Sequence, residues 1–598
     1  MIKLRPIVFT LGLVLSKLAL FMWLPTLLAL LTGSEGFVEF LKSVLITHGA
    51  ALICLHYGRK VEFHLGVRAM FLLTTSVWVV ACIFGALPFV FITHINFADA
   101  YFETMSGVTT TGSTVLSGLD GMAHSILLWR SILQWLGGVG FIVMAVAVLP
   151  YLNVGGMKLF QTESSDWSDK SAPRAKTVAN NIVVVYLVLS MLCFLAYWVS
   201  GMTLFEAVNH AMTTLSTGGY STSDQSMSHF SNSAHWIGTL FMFLGGLPFL
   251  LYVQALSRRD NSLLRDAQVQ GFFWLIVWVT VVVTFYLWVR DIYGFMDALR
   301  ISSFNIVSVL TTTGYGLGDF GTWGPLTSII FMILLALGAC SGSTSGGLKI
   351  FRVQVAFALF KKQMRQLMHP SAVFPQKYNG RPVNDAIIRS MISFVLAYFA
   401  IILLIAALLA AIGLDPLTAI SGSITAVANV GPGMGPVIGP STNFASLPDS
   451  AKWILSFGML LGRLEILTVA VIFFPSFWKQ EDLTGTGRQK GQPAGCPFCL
   501  LSATSIGGLF PFQRAVDQGL RQGFGDLHPQ LAKTLGLGDQ VATAVDQPLH
   551  RLVITLLCLV QATPHLLHLL HEQPQLLVEA TGPLRYLARV LVLPLVTP

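Results

Sequence analysis

The sequence predicts an all-α integral membrane protein in which two leading helices precede four helix–pore loop–helix repeats with pseudo-fourfold arrangement. Three observations carry this expectation. Charged residues make up 11% of the 598 and hydrophobic ones 54%, whereas a soluble domain carries about 25% charged residues. Apolar stretches long enough to cross the hydrocarbon core as helices recur along the chain. Four short glycine-bearing segments also return at similar intervals with matching surroundings.

The elements follow in order. Apolar stretches at 7–31, 69–91, 182–199, 272–289, 391–412 and 453–474 are expected to span the bilayer. The first is too long for a signal peptide and no small-residue cleavage site follows it, so it reads as a retained span. The expected organisation is two leading helices over 1–68 and repeats over 69–177, 178–270, 271–384 and 385–480. These make ten spans with four re-entrant loops. Residues 481–598 form an atypical extension.

A net charge of +8 would suit nucleic acid, but the cations sit in alternate loops. Arg59, Lys60 and Arg68 share one loop; Lys158, Lys170, Arg174 and Lys176 share another. Arg258, Arg259 and Arg265 fall in a third, and Lys361, Lys362, Arg365, Lys377 and Arg381 in a fourth. Asp120, Asp224, Asp319 and Asp449 occupy the loops between them. The positive-inside rule makes the basic set cytoplasmic, and Lys3 and Arg5 put the N-terminus on that side. Arg290 and Arg300 depart from the pattern. Cys54, Cys82, Cys193 and Cys340 lie in apolar segments as small apolar residues. The lone Cys496-Pro-Phe-Cys499 lacks the second pair a zinc site needs.

The four glycine segments are Thr109-Thr110-Thr111-Gly112, Leu215-Ser216-Thr217-Gly218, Thr311-Thr312-Thr313-Gly314 and Ala428-Asn429-Val430-Gly431. A short semi-polar segment precedes each: 96–108, 203–215, 294–310 and 414–428. Nine residues before each glycine stand Glu103, Asn209, Asn305 and Gly422. Downstream, Leu136-Gly137-Gly138, Leu244-Gly245-Gly246 and Leu337-Gly338-Ala339 match Leu461-Gly462-Arg463. Segments too short to span survive at membrane depth only where they are buried in protein or line a water-filled cavity. Four around one axis provide that cavity.

Such loops suit a dehydrated cation. Backbone carbonyls replace lost water oxygens without burying formal charge, and glycine permits the conformations that turn them inward. Threonine hydroxyls add oxygens, and each short helix points its partially negative C-terminal end at the centre. The expected ion-binding residues are Thr110, Thr111, Gly112, Ser216, Thr217, Gly218, Thr312, Thr313, Gly314, Asn429, Val430 and Gly431. No carboxylate ring favours a divalent ion.

The run Val108-Thr-Thr-Thr-Gly-Ser-Thr114 with Trp129-Arg-Ser-Ile-Leu-Gln-Trp-Leu-Gly-Gly138 resembles the TrkH branch of the Trk/Ktr/HKT superfamily of potassium transporters. So do Thr311-Thr-Thr-Gly-Tyr-Gly316, Ser341-Gly-Ser-Thr-Ser-Gly-Gly347, Asn429-Val-Gly-Pro-Gly433 and Leu461-Gly-Arg-Leu-Glu-Ile466. The resemblance covers residues 1–480. It implies potassium uptake across the bacterial inner membrane by a homodimer with one pore per subunit. It also implies regulation by cytosolic TrkA-type nucleotide-binding subunits. Potassium is then the transported ion, lipid the surroundings, and no organic cofactor is expected. Glycine at all four positions implies potassium selectivity; sodium or mixed transport by the same fold is the alternative. Whether transport is channel-like or symport stays open, and no buried acidic pair marks a proton path.

Two gating elements are expected. Gly338, Ser341, Gly342, Ser343, Thr344, Ser345, Gly346 and Gly347 interrupt the second helix of the third repeat, where small and polar residues weaken a helix. The resemblance implies an intramembrane gating loop there. Arg463 replaces the small residues of the other repeats, and an arginine at membrane depth is functional by default. It would repel cations below the loops or hold the serine–glycine segment through its carbonyls; the bland alternative is a snorkelling arginine, or one paired with Glu465 or an acid elsewhere. Arg130 reads as a brace for the short helices, with Glu103 a partner.

An enzyme is not expected: the chain shows no HExxH and no GxSxG in a strand–turn–helix setting. The 481–598 segment has two lysines, one tyrosine and no tryptophan, and shows neither a fifth repeat nor a nucleotide-binding fingerprint. His565, His568 and His571 form a weak metal spacing. The segment reads as poorly specified, out of keeping with the rest of the chain.

Overall fold

The structure, a computed structural model, describes residues 4–33, 36–59, 66–147, 171–258, 262–372, 374–375, 377–379, 381–383 and 385–478. The expected 481–598 extension, with Cys496, Cys499 and its histidines, lies outside the described residues, as do Lys3, Lys60, Lys158, Lys170 and Arg259. Chain contacts separate two units, and every described residue belongs to the first, Met1–Gly507.

Helices α1 (Leu4–Thr32) and α2 (Phe37–Tyr57) pair as an antiparallel hairpin. Leu15, Met22, Phe40 and Val44 of this hairpin share a buried cluster with Trp129 and Leu133 of α6. Then come α3 (Val67–Gly85), α4 (Leu87–Ile92), α5 (Phe97–Val108) and α6 (His124–Ala147). Next are α7 (Ser171–Val199), α8 (Leu204–Leu215), α9 (Asn232–Gly245) and α10 (Phe249–Arg258). After them come α11 (Ala267–Val289), α12 (Phe295–Leu310), α13 (Pro325–Ala336) and α14 (Ile350–Met368). The last long elements are α15 (Asp385–Ala411), α16 (Pro416–Ala428) and α17 (Asp449–Arg463), with a short α18 (Leu467–Ala470).

The short segments form helices α5, α8, α12 and α16, of 12, 12, 16 and 13 residues. At 1.5 Å per residue none reaches the roughly 30 Å of a hydrocarbon core. Three begin on caps written in the sequence. Asn96 accepts from the Asp99 amide. Thr203 and Glu206 close a reciprocal capping box. Asp415 accepts from the Thr418 amide ahead of Pro416.

Among the described residues, seven helices are long and apolar enough to cross a bilayer, and two bent pairs raise the number to nine. The expected single span over 453–474 is corrected: α17 ends at Arg463 and the chain turns by 108° before continuing. Glu465 stands in the turn at φ 59°, outside helical space. α9 and α10 likewise meet at 85°, across a break that contains Pro248. The remaining expected span is split. α13 stops at Ala336, and α14 starts at Ile350 after a loop closed at its base by a two-residue parallel pairing of Leu337–Gly338 with Leu348–Lys349.

The short helices pack in a closed circuit. α5 packs on α6 and α17, α8 on α6 and α9, α12 on α9 and α13, and α16 on α13 and α17. Each therefore rests against the long helix that follows it and the one that follows the preceding short helix.

Candidate functional site

Each short helix delivers its chain into a turn with one strained residue. Thr110, Thr217, Thr312 and Asn429 have φ of 54°, 52°, 58° and 58°, a left-handed region that β-branched threonine seldom adopts and asparagine tolerates better. Two residues later comes a glycine at positive φ: Gly112 at 89°, Gly219 at 78°, Gly314 at 80° and Gly431 at 104°. Backbone bonds keep the same register, from Thr111 to Ser106, Gly218 to Thr213, Thr313 to Ser308 and Val430 to Thr425.

This corrects the second loop by one residue. Gly219, not Gly218, is the counterpart of Gly112, Gly314 and Gly431. The sequence presents two consecutive glycines, and matching Thr217-Gly218 to the other Thr-Gly pairs selects the wrong one. Tyr220 after Gly219, echoing Tyr315 after Gly314, is the signal that resolves it. The residue nine before the glycine is then His210 and not Asn209, whose Nδ2 only donates back to the Phe205 carbonyl.

The four loops meet. A methyl group built on Gly112 would lie 2.3 Å from the Gly218 oxygen. On Gly219 it would lie 1.9 Å from Thr313 O, on Gly314 1.9 Å from Val430 O, and on Gly431 2.9 Å from Thr111 O. Each glycine thus abuts the carbonyl of the residue that precedes the next loop's glycine, and the circuit closes. Positive φ and the absence of room for Cβ both demand glycine.

Side chains brace the circuit from behind. Arg130, 1% exposed, donates to Glu103 Oε1 at 2.8 Å, to Ser221 O at 3.0 Å and to Thr114 Oγ1 at 3.1 Å. Its guanidinium stacks over Tyr220 at 4.0 Å, so the expected brace ties the first loop to the second. Glu103 accepts from the Val115 amide, three residues past Gly112. Asn305 accepts from Leu317 N, three past Gly314, and Ser421 accepts from Met434 N, three past Gly431. At the second loop His210 Nδ1 faces the Glu206 carbonyl and Nε2 lies 3.0 Å from Ser221 Oγ. Gln134 donates to Gly218 O at 2.5 Å and accepts from Tyr220 N.

The serine–glycine loop packs against three of the four strained residues. Thr344 Oγ1 lies 3.1 Å from Thr217 Oγ1, Gly346 N donates to Thr312 Oγ1 at 2.7 Å, and a Cβ on Gly346 would meet the Asn429 Cβ at 2.9 Å. Further ties run from Cys340 N to Gly246 O and from Ser341 N to Gln268 Oε1. Ser343 and Ser345 hydroxyls pair at 2.8 Å, Gly342 O accepts from Phe249 N, and Lys349 Nζ donates to Ser345 O. Gly338 and Gly347 lie in contact at the loop's base, where any Cβ would clash.

Arg463 is buried, with Nη1 donating to Thr344 O at 2.8 Å, Nη2 to Gly137 O at 3.3 Å, and its guanidinium 4.2 Å from the Phe141 ring. The alternative pairing with Glu465 is overturned: Glu465 takes Arg352 Nη2 at 2.6 Å. Sequence reasoning missed Lys349 and Arg352, although two cations three residues apart beside an apolar run are the same signal that singled out Arg463. Among the described residues no group of three or more His, Cys, Asp or Glu could hold a metal ion. The donors at the circuit are carbonyls and hydroxyls, a set that can replace the water of a monovalent cation.

The profile of the TrkH family, described as a cation transport protein, matches residues 41–480. The chain is 44% identical to the Trk system potassium uptake protein TrkI of Halomonas elongata over 478 residues, 79% of this chain and 97% of that protein. It is 34% identical to the Trk system potassium uptake protein TrkH of Salmonella typhimurium over 466 residues, 77% of this chain and 96% of that one. The crystal structure of the potassium transporter TrkH from Vibrio parahaemolyticus superposes with a TM-score of 0.74 at 32% identity, covering 80% of this chain and all of that one.

Proposed function

The chain belongs to the TrkH family of cation transport proteins, and from that premise we propose that it takes up potassium through a selectivity filter built by its four loops. The observation that carries the reading is the closed circuit in which Gly112, Gly219, Gly314 and Gly431 each abut the preceding-residue carbonyl of the next loop. The filter comprises Thr110, Thr111 and Gly112; Ser216, Thr217 and Gly218 with Gly219; Thr312, Thr313 and Gly314; and Asn429, Val430 and Gly431.

Potassium sheds water as it enters and is held by carbonyl oxygens whose spacing the braces fix. The four units act as pseudo-fourfold repeats, which the matching φ values and packing circuit support. Glycine at every structural position favours potassium over the sodium alternative. Below the filter, the segment from Gly338 to Gly347 is the gate, and Arg463 holds it shut through Thr344 while placing positive charge in the ion path. The gate opens when its hydrogen bonds to Thr217, Thr312 and Arg463 are exchanged for others.

The protein is a multi-pass protein of the bacterial inner membrane with its N-terminus in the cytoplasm. It works as a homodimer, with TrkA-type subunits acting on the cytoplasmic side. The exposed Lys361 and Arg365 and the half-buried Lys362 of α14, continuous with the gate, support that side as the site of control.

Rubidium-tracer uptake into proteoliposomes of the purified full chain tests the reading. Uptake that potassium competes away and sodium does not is the expected result; folded protein that sodium competes equally well would favour sodium or mixed transport.

A further inference from the structure

The loops carry no regular secondary structure, so their separation depends on ties to something stiffer. Two such ties repeat. Tyr220 follows Gly219, is 3% exposed, and donates from its hydroxyl to Glu103 O at 2.7 Å, with Ser113 O at 3.3 Å. Tyr315 follows Gly314, is 1% exposed, and places its hydroxyl 2.6 Å from Thr213 Oγ1, 3.1 Å from Thr214 Oγ1 and 3.4 Å from His210 O. Glu103 and His210 both stand nine residues before the glycine of their own unit. In each case the residue after one filter glycine reaches back to the same level of the preceding unit's short helix.

The other two sides are built differently. Ser113, after Gly112, donates to Gly431 O at 2.8 Å and so ties loop to loop. Pro432, after Gly431, has no hydroxyl and no amide hydrogen.

Resting on the potassium reading above, we propose that Tyr220 and Tyr315 are positioning residues for ion discrimination, each a hydroxyl strut that fixes the distance between adjacent filter loops. A carbonyl ring that is free to contract accommodates a smaller cation. A strut from beside the glycine to a neighbouring helix resists that contraction without touching the ion. Packing contributes as well, since Arg130 lies over Tyr220 and Phe304 stacks near Tyr315. Replacement by phenylalanine keeps that packing and removes only the tie.

The test measures potassium and sodium flux separately in proteoliposomes of the full chain, for the parent, Tyr220→Phe and Tyr315→Phe. The expected result is retained potassium flux with a potassium-to-sodium ratio lowered about two- to tenfold, the span one hydrogen bond is worth. Thr213→Val, which removes the nearest partner of Tyr315, lowers the ratio similarly and adds nothing further to Tyr315→Phe. Phenylalanine variants with the parent ratio overturn the proposal. So does equal loss of both fluxes at an unchanged ratio, which marks a merely structural role, and so do fully additive effects of Thr213→Val and Tyr315→Phe. A parent that passes both ions equally defeats the potassium reading itself, and the struts lose their role with it.

Discussion

Arg463 Nη1 lies 2.8 Å from the carbonyl oxygen of Thr344, joining the end of α17 to the loop that packs beneath Thr217 and Thr312. The corresponding positions after the other loops hold Gly138, Gly246 and Ala339, so this side chain is an addition at one of four similar places.

Removing it frees the loop. Arg463→Gly restores the residue type of the other units and deletes a charged donor, worth about 1.5–3 kcal/mol in a buried hydrogen bond. Potassium flux through reconstituted protein is expected to rise about tenfold or more. An unchanged or lower flux from folded protein would separate Arg463 from gating.

The corrected register of the second loop gives a sharp comparison. Gly219 has φ 78° and no room for Cβ beside Thr313 O, whereas a Cβ on Gly218 meets the side chain of Gln134, which can move. Gly219→Ser is expected to lower the potassium-to-sodium flux ratio about tenfold, as is Gly112→Ser, and Gly218→Ala to lower it less. Equal ratios for the two glycines of the pair would reject the assignment.

The Glu103–Arg130 pair is buried on both sides, at 0% and 1% exposure. Glu103→Leu leaves the guanidinium without its counter-charge, and losing one partner of a buried pair costs about 3–5 kcal/mol. A large drop in the melting temperature of detergent-solubilised protein is expected. Retained stability would mean that Ser221 O and Thr114 satisfy the arginine alone.

Asp415, in the connection between α15 and α16, caps α16, and hydrogen bonding from Thr418 holds its carboxyl below the usual carboxylate range. A lowered folded pKa means stability that is present above the unfolded value and lost as pH falls through the folded one. Acid unfolding below about pH 4 is therefore expected to include this cap. Asp415→Asn keeps an acceptor but no titration, so its stability should change less with pH there. An identical acid limb in the variant would exclude the cap.

Much of the fold was legible because its signals are local. Apolar length gave the spans, and the semi-polar segments beginning at 96, 203, 294 and 414 gave the start of the short helices to within two residues. Glycines with Thr-rich neighbours gave three loops in register. Gly218-Gly219 slipped because either glycine satisfies a spacing argument; the tyrosine after Gly219, matching the one after Gly314, was the overlooked mark, and φ and the contact with Thr313 O settle it. The break at Leu464–Ile466 was invisible because its residues are as apolar as their neighbours apart from Glu465, and a backbone turn there is fixed by the Arg352 partnership across the fold. The braces Gln134, His210, Tyr220 and Tyr315 were missed for the same reason: their partners lie on other units, and polar residues one or two positions from a motif carry no sequence mark of what they reach.

The most direct test of the central claim is the ratio of potassium to sodium flux through the full chain in proteoliposomes, compared with Gly112→Ser, Gly314→Ser and Gly431→Ser. Four loops acting as one filter predict a potassium-selective parent and a loss of selectivity at every one of these glycines. A parent indifferent to the ion, or variants as selective as the parent, would contradict it.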